Sequence, residues 1–268
     1  MLKTLLKIDN FILLKYNRTK LVAPKDLGFS KDLKENYLNC QEVFFYRSID
    51  QIKHFYPQSK IHVLTNKPHH KIDNVIFHVF NEKWENHICK FKLFNLINEP
   101  AMYLDLDVVL NKKFPSSCDT NLPFTMYSIT DEEDLQKYSN VNLPNNRNNK
   151  TWNTGVLWIN KPSSYLFKEI VNIHNHYFND HQMILKKGYW PNNDEHAVSL
   201  FLDHHNLQPN VVKGINVLRH NINSSNLGSY QSVHYTGIKA KRTMKNEYAK
   251  FNVSSSHTDI QIKNFFAL

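Results

Sequence analysis

Apolar and polar positions alternate along this chain in blocks of two lengths, short runs and longer helical patterns. Residues 11–23 contain a first strand. QEVFFYRSIDQIKHFYP (41–57) reads as a helix that stops at Pro57, because proline cannot continue the hydrogen-bond ladder. KIHVLTN (60–66) and NVIFHVF (74–80) are short apolar strands. HICKFKLFNLIN (87–98) carries Ile88, Phe91, Phe94, Leu96 and Ile97 at helical spacing and closes at Glu99 and Pro100. AMYLDLDVVL (101–110) and LPFTMYSIT (122–130) read as further strands.

TWNTGVLWIN (151–160) reads as another strand, and SSYLFKEIVNIHNHYF as a helix with Leu166, Ile170, Ile173 and Tyr177 on one face. NNDEHAVSLFLDHH begins a helix at Asn193, and VHYTGIKAKR (233–242) is a strand running into a basic loop. NVSSSHTD breaks the pattern before the apolar end IQIKNFFAL. Strands alternating with helices predict an α/β fold with a mainly parallel central sheet flanked by helices. Neither an internal repeat nor a linker divides the chain, so residues 1–242 are expected to form one domain and 243–268 an extension packed on it. Residues 131–150 are polar and asparagine-rich, which predicts a mobile loop, either a lid or binding loop or a simply disordered segment.

One feature breaks the apolar pattern. Asp105 and Asp107 stand one residue apart in AMYLDLDVVL, where burial of an unpaired carboxylate is costly. They follow AMYL, and ligands of open α/β sheets bind beyond the carboxyl ends of the strands, so the acids belong at the rim. Two carboxylates there can share one hard cation: oxygen ligands alone suit Mg²⁺, and an added imidazole shifts the preference toward Mn²⁺. Such a cation would bridge to a phosphorylated ligand.

Composition narrows the classes. The 268 residues are 41% hydrophobic and 13% aromatic, which suits a globular core. Only 6 glycines occur, with no G-x-G-x-x-G or Walker pattern, so a glycine-rich phosphate loop is not the binding device. The formal charge of +9 and pI near 9.2 suit an anionic partner. That partner is a nucleotide phosphate, a nucleic acid or a membrane surface. The lysines are scattered and the Lys-, Asn- and Ile-rich composition suits AT-rich coding, so charge alone does not indicate specific nucleic-acid binding.

The 3 cysteines, Cys40, Cys89 and Cys118, are far apart and lack C-x-x-C spacing, so neither a disulfide framework nor a zinc site is indicated. They read as reduced thiols of an intracellular protein. Lys3, Lys7, Asp9 and Lys15 interrupt the apolar start, so neither a signal peptide nor a transmembrane segment is expected. The terminal FFAL, with lysines upstream, could touch a membrane surface but is expected to pack on the domain.

Four blocks in order resemble the GT-A glycosyltransferases, closest to the family-8-like group of glycogenin and bacterial galactosyltransferases. These are KIHVLTN, CKFKLFNL with PAMYLDLDVVL, WNTGVLWIN, and VHYTGIK, spanning residues 60 to about 242. The resemblance implies a fold that binds a nucleotide-diphosphate sugar, commonly a UDP-sugar, with Mn²⁺. It implies that Asp105, Leu106 and Asp107 form the D-x-D segment, with both aspartates as metal ligands and His234 as the third. Gly237 matches the glycine that lets backbone approach the diphosphate. Lys90 matches the basic residue that reaches the donor, with Lys92 a close competitor, and Asn153 the asparagine that faces the sugar.

The chain departs from the pattern twice. Where the family carries a lysine six residues after the histidine, this chain has Ala240, flanked by Lys239 and Lys241, and no Pro-Trp follows. Where the family shows Asp-Gln, this chain has Asp194 and Glu195, either as donor-sugar or acceptor-side contacts or simply as acids suiting a helix N-terminus. The implied reaction moves a sugar, with retention, to an acceptor hydroxyl on a glycan, protein or small molecule. The metal, His234 and nearby lysines would stabilise the departing diphosphate, while Asn153 and Asp194 hold the sugar.

Two alternatives compete. A haloacid-dehalogenase-type phosphohydrolase would use Asp105 as nucleophile and Asp107 as general acid, but that motif opens its domain, and here about a hundred residues precede it. An inactive nucleotide-sugar or nucleic-acid binding module is the other, for which KAKRTMK is the basic cue.

Overall fold

The computed structural model describes residues 8–16, 44–81, 88–114, 124–126, 129–132, 150–159, 164–178, 193–207, 215–218 and 232–235. Strand β1 (Asn10–Lys15) is followed by helix α1 (44–55), β2 (Lys60–Thr65) and β3 (Val75–Val79). Next come α2 (Cys89–Leu93), which tightens into a 3₁₀ turn (Phe94–Leu96), and β4 (Ala101–Leu104) and β5 (Val108–Leu110). Four further strands are β6 (Phe124–Met126), β7 (Ile129–Glu132), β8 (Lys150–Trp152) and β9 (Val156–Ile159). Helices α3 (Ser164–Phe178) and α4 (Asn193–His204) precede β10 (Ile215–Leu218) and β11 (Ser232–Tyr235).

Six strands form the central sheet in the order β3-β2-β1-β4-β9-β6. The first four are mutually parallel, while β9 runs antiparallel to both β4 and β6. The expected α/β class with a mainly parallel sheet is therefore the observed one. The apolar runs of β1, β2 and β4 are buried almost throughout, as strands covered on both faces must be.

Each face has its own core. On one, Phe45, Ile49 and Ile52 of α1, one helical stripe, pack on Phe11, Leu13, Ile61, Val63, Met102 and Trp158. On the other, α2, α3 and α4 cover Ile12, Leu64, Tyr103 and Leu157 through Phe91, Phe94, Phe167, Ile170 and Phe201. Helix α1 ends as expected, with Tyr56 N–H donating to Ile52 O before Pro57.

Several elements differ from the sequence reading. AMYLDLDVVL is two strands in different sheets: β4 belongs to the central sheet, and β5 to a three-stranded sheet ordered β10-β11-β5. The chain turns at the acids, where Val108 N–H donates to Asp105 O at 3.1 Å. Likewise 151–160 divides into β8 and β9, and 122–130 into β6 and β7, with β7 and β8 forming a separate pair.

The pattern over 87–98 yields only a five-residue α-helix before the 3₁₀ turn, and Leu96 is exposed. Of the expected Leu166, Ile170, Ile173 and Tyr177 stripe on α3, Ile170 is fully buried, and Leu166 and Ile173 pack partly buried against the core. The buried face extends to Phe167, Val171 and His174 because the Phe91 and Phe94 rings lie against Phe167. Among the described residues no helix is long and apolar enough to cross a membrane. Cys89 is a buried free thiol. The 133–149 segment, the KAKRTMK run and the 243–268 extension lie outside the described residues.

Candidate active site

The site forms where two strand breaks meet at the carboxyl edge of the sheet. The first is the Asp105–Asp107 corner after β4. Because β5 leaves that corner to pair antiparallel with β11, Val108 comes opposite His234. His234 Nε2 then lies 3.1 Å from Asp107 Oδ1 and 3.5 Å from Asp105 Oδ2, although 127 residues separate His234 from Asp107. One ligand atom from each of the three residues falls within 4.8 Å of the others, a spacing that fits one cation. The acids keep 29% and 15% of their side-chain surface, so they sit at the rim as expected, whereas His234 is buried. Leu106 is half-buried against the α1-side core, and its carbonyl accepts the Ser48 hydroxyl at 3.3 Å.

The second break is Asn153-Thr154-Gly155, between β8 and β9. The β4–β9 pairing brings it alongside, and Asp105 N–H donates to Gly155 O at 2.8 Å. Asn153 Oδ1 accepts from Gly155 N–H at 3.0 Å and lies 2.8 Å from His234 Nδ1. Asn153 Nδ2 donates to Glu195 Oε1 at 2.7 Å. A Cβ on Gly155 would stand 2.2 Å from His234 Cε1 and 2.4 Å from Nδ1, so only glycine lets the imidazole lie against this backbone.

Lys90 rises from α2 behind Thr154 and is 2% exposed. Its ammonium is 2.7 Å from Asp194 Oδ2, 2.7 Å from Thr154 Oγ1 and 3.1 Å from Thr154 O, which occupies its three hydrogens. The Thr154 hydroxyl also donates to Asp194 Oδ2. Asp194 and Glu195, in the first turn of α4, are both buried, so each serves inward contacts as well as suiting the helix N-terminus. Tyr103, fully buried with its ring 5.1 Å below the Lys90 ammonium, donates its hydroxyl to Asp105 Oδ1.

The electrostatics are anionic. Four carboxylates, Asp105, Asp107, Asp194 and Glu195, stand against the buried ammonium of Lys90. Burial alone would push the His234 pKa down, but the Asp107 carboxylate, then Asp105 and Glu195, more than offset it and hold it above the ordinary 6.5. The Lys90 pKa is likewise raised, with Asp194 and Asp105 overcoming burial. Burial and then the Asp105 charge push the Tyr103 hydroxyl well above its usual 10.0. The carboxylates thus favour the cationic forms of His234 and Lys90, and Tyr103 stays a neutral hydrogen-bond donor. Two carboxylate oxygens and one imidazole nitrogen, with a charge deficit, fit Mn²⁺ and also admit Mg²⁺.

Asp105, Leu106, Asp107, Lys90, Asn153, Asp194, Glu195 and His234 thus converge on one rim. Gly237, Lys239 and Lys241 lie outside the described residues. Sequence reading missed Tyr103 and Thr154. Tyr103 was legible from strand alternation, since it shares the face of Asp105 two residues on. Thr154, the variable position of N-x-G, carried no signal. The D-x-D corner follows the fourth described strand of the chain, not a first strand as the phosphohydrolase alternative requires.

No protein-family profile matches the sequence, and no curated protein matches it. Among solved structures the chain resembles a galactosyltransferase, LgtC, crystallised with donor and acceptor sugar analogues. The similarity has a TM-score of 0.53 at 12% identity, over 94% of this chain and 99% of that one. A second structure, an active-site mutant of the same enzyme, gives a TM-score of 0.49 at 11% identity over the same shares, 94% and 99%. The fold is the GT-A glycosyltransferase fold.

Proposed function

We propose that the protein is a metal-dependent glycosyltransferase that moves a sugar from a nucleotide-diphosphate donor, a UDP-sugar, to an acceptor hydroxyl with retention of configuration. The observation that carries this reading is the meeting of Asp105, Asp107 and His234 at the carboxyl edge of a GT-A sheet. Held by these three, Mn²⁺ (or Mg²⁺) would neutralise charge on the leaving diphosphate.

The remaining residues prepare that rim. Tyr103 fixes one oxygen of Asp105, leaving the other toward His234. Asp194 and Glu195 supply an anionic floor suited to a sugar carbon that gains positive charge as its bond to the diphosphate breaks. Lys90 works on that floor by pinning Asp194. Gly237, Lys239 and Lys241 follow His234 in the chain, and we assign them to backbone approach and positive charge at the diphosphate. The acceptor hydroxyl belongs to a glycan, a protein or a small molecule.

Calorimetric titration of UDP into the protein with Mn²⁺, then with EDTA, tests the proposal. Binding that requires Mn²⁺, followed by turnover of a UDP-sugar to an acceptor product of unchanged anomeric configuration, is the expected result. Absence of UDP binding in both buffers would overturn the UDP-sugar reading.

A further inference from the structure

The resemblance places Asn153 against the sugar, but its contacts point elsewhere. The side chain is 2% exposed and spans two networks. Glu195 Oε1, a carboxylate oxygen that can only accept, stands 2.7 Å from Asn153 Nδ2, so the nitrogen end of the amide must face Glu195. Gly155 N–H, which can only donate, stands 3.0 Å from Oδ1, so the oxygen end must face the other way. Two partners of opposite polarity therefore fix one orientation of the amide.

That orientation decides the state of the imidazole. Asn153 Oδ1 lies 2.8 Å from His234 Nδ1 and cannot donate, so Nδ1 must carry a hydrogen. In the neutral ring Nε2 is then bare, and Nε2 is the atom 3.1 Å from Asp107 and 3.5 Å from Asp105. A lone pair aimed at two carboxylates is repulsive unless a second ring proton or a cation lies between them, and a bound cation takes the place that such a proton would hold. The opposite tautomer would set Nδ1 and Oδ1 against each other as two acceptors.

We propose that Asn153 is a positioning residue whose amide, oriented by Glu195 and Gly155, locks His234 with Nδ1 protonated and Nε2 presented to the cation shared with Asp105 and Asp107. This deepens the proposed function and rests on its reading of those three residues as cation ligands. Outer partners of this kind commonly govern metal affinity by about 10–100-fold.

The test combines two readouts on three forms of the full chain. Asn153→Leu keeps the shape and removes the amide. Asn153→Asp with Glu195→Gln keeps an acceptor toward His234 and Gly155 and restores a donor–acceptor pair with residue 195. The first readout is the ¹⁵N tautomer signature of His234 in metal-free protein at alkaline pH, its signals identified by their loss in His234→Gln.

Wild type and the double variant should show Nδ1–H, and Asn153→Leu should show a mixture with Nε2–H. The second is Mn²⁺ affinity by electron paramagnetic resonance, which should fall about 10–100-fold in Asn153→Leu and return to within about threefold in the double variant. An unchanged tautomer in Asn153→Leu would overturn the inference. So would unchanged Mn²⁺ affinity in that variant, or a double variant as weak as it. Wild type that binds no Mn²⁺ would instead remove the metal-dependent reading, and the tautomer comparison would still decide what Asn153 does.

Discussion

Lys90 Nζ lies 2.7 Å from Asp194 Oδ2, with 2% and 6% of the two side chains exposed, and this buried ion pair ties α2 to the first turn of α4. Removing one partner of such a pair strands the other charge, whereas replacing both with apolar groups is often close to neutral. Lys90→Met should therefore cost about 3–5 kcal/mol of stability in urea unfolding, and Lys90→Met with Asp194→Leu should recover most of it. A loss below about 1 kcal/mol in the single variant would mean that the pair is no more than a surface-like contact.

Gly155→Ala tests the close approach of the imidazole. The new methyl would fall 2.2 Å from His234 Cε1, so the ring must leave its place between Asn153 and the aspartates. Overpacking should cost about 1–3 kcal/mol, and Mn²⁺ affinity should fall at least about tenfold. A Mn²⁺ titration of the folded variant that matched wild type would show that His234 does not need this seat.

Asp107→Asn removes one anionic ligand without changing side-chain volume. Asp107 keeps partial exposure at the rim, so the fold should persist with an unchanged circular dichroism spectrum. Mn²⁺-dependent UDP binding and sugar transfer should disappear. Wild-type turnover by this variant would sink the metal-dependent assignment.

A histidine pair sits away from the site. His62 Nδ1 is 3.0 Å from His78 Nε2, and His62 Nε2 is 3.3 Å from Asn10 Oδ1, whose amide nitrogen in turn donates to Glu99. Burial holds both imidazole pKa values below the ordinary 6.5, with His78 adding to the effect on His62. The unfolded chain takes up these protons more readily than the folded one. The pair's contribution is thus complete above the unfolded value and is lost as pH falls through it toward the folded value. Thermal midpoints measured from about pH 7.5 to about pH 5 should decline less steeply in His78→Gln than in wild type, since glutamine can still donate to His62 without titrating. Equal slopes would show that the pair does not set the acid sensitivity.

The sequence by itself determined which apolar runs are buried and that the paired acids stand at a strand end, but not where the strands break. Apolar runs such as NFILLK and KIHVLT had to be buried strands, and acids directly after AMYL had to lie at a sheet rim, because neither arrangement leaves carboxylates in an apolar interior. Hydrophobic periodicity also showed that α3 is amphipathic. It placed Ile170 on the buried face but not Phe167, which the Phe91 and Phe94 rings bring to the centre of that face.

Tertiary structure alone decided the partners. The break between Leu104 and Val108, the pairing of β5 with β11, and the seat of His234 over Gly155 all depend on strand registers across long sequence separations. So does the engagement of Lys90 with Asp194 and Thr154, which the lysine's place on its own helix does not reveal. Periodicity records which face of an element is apolar, because that follows from local geometry and water. It carries no record of which distant hydrogen-bond donor meets which acceptor, because that is settled only when the whole sheet closes and each buried polar group must find a partner.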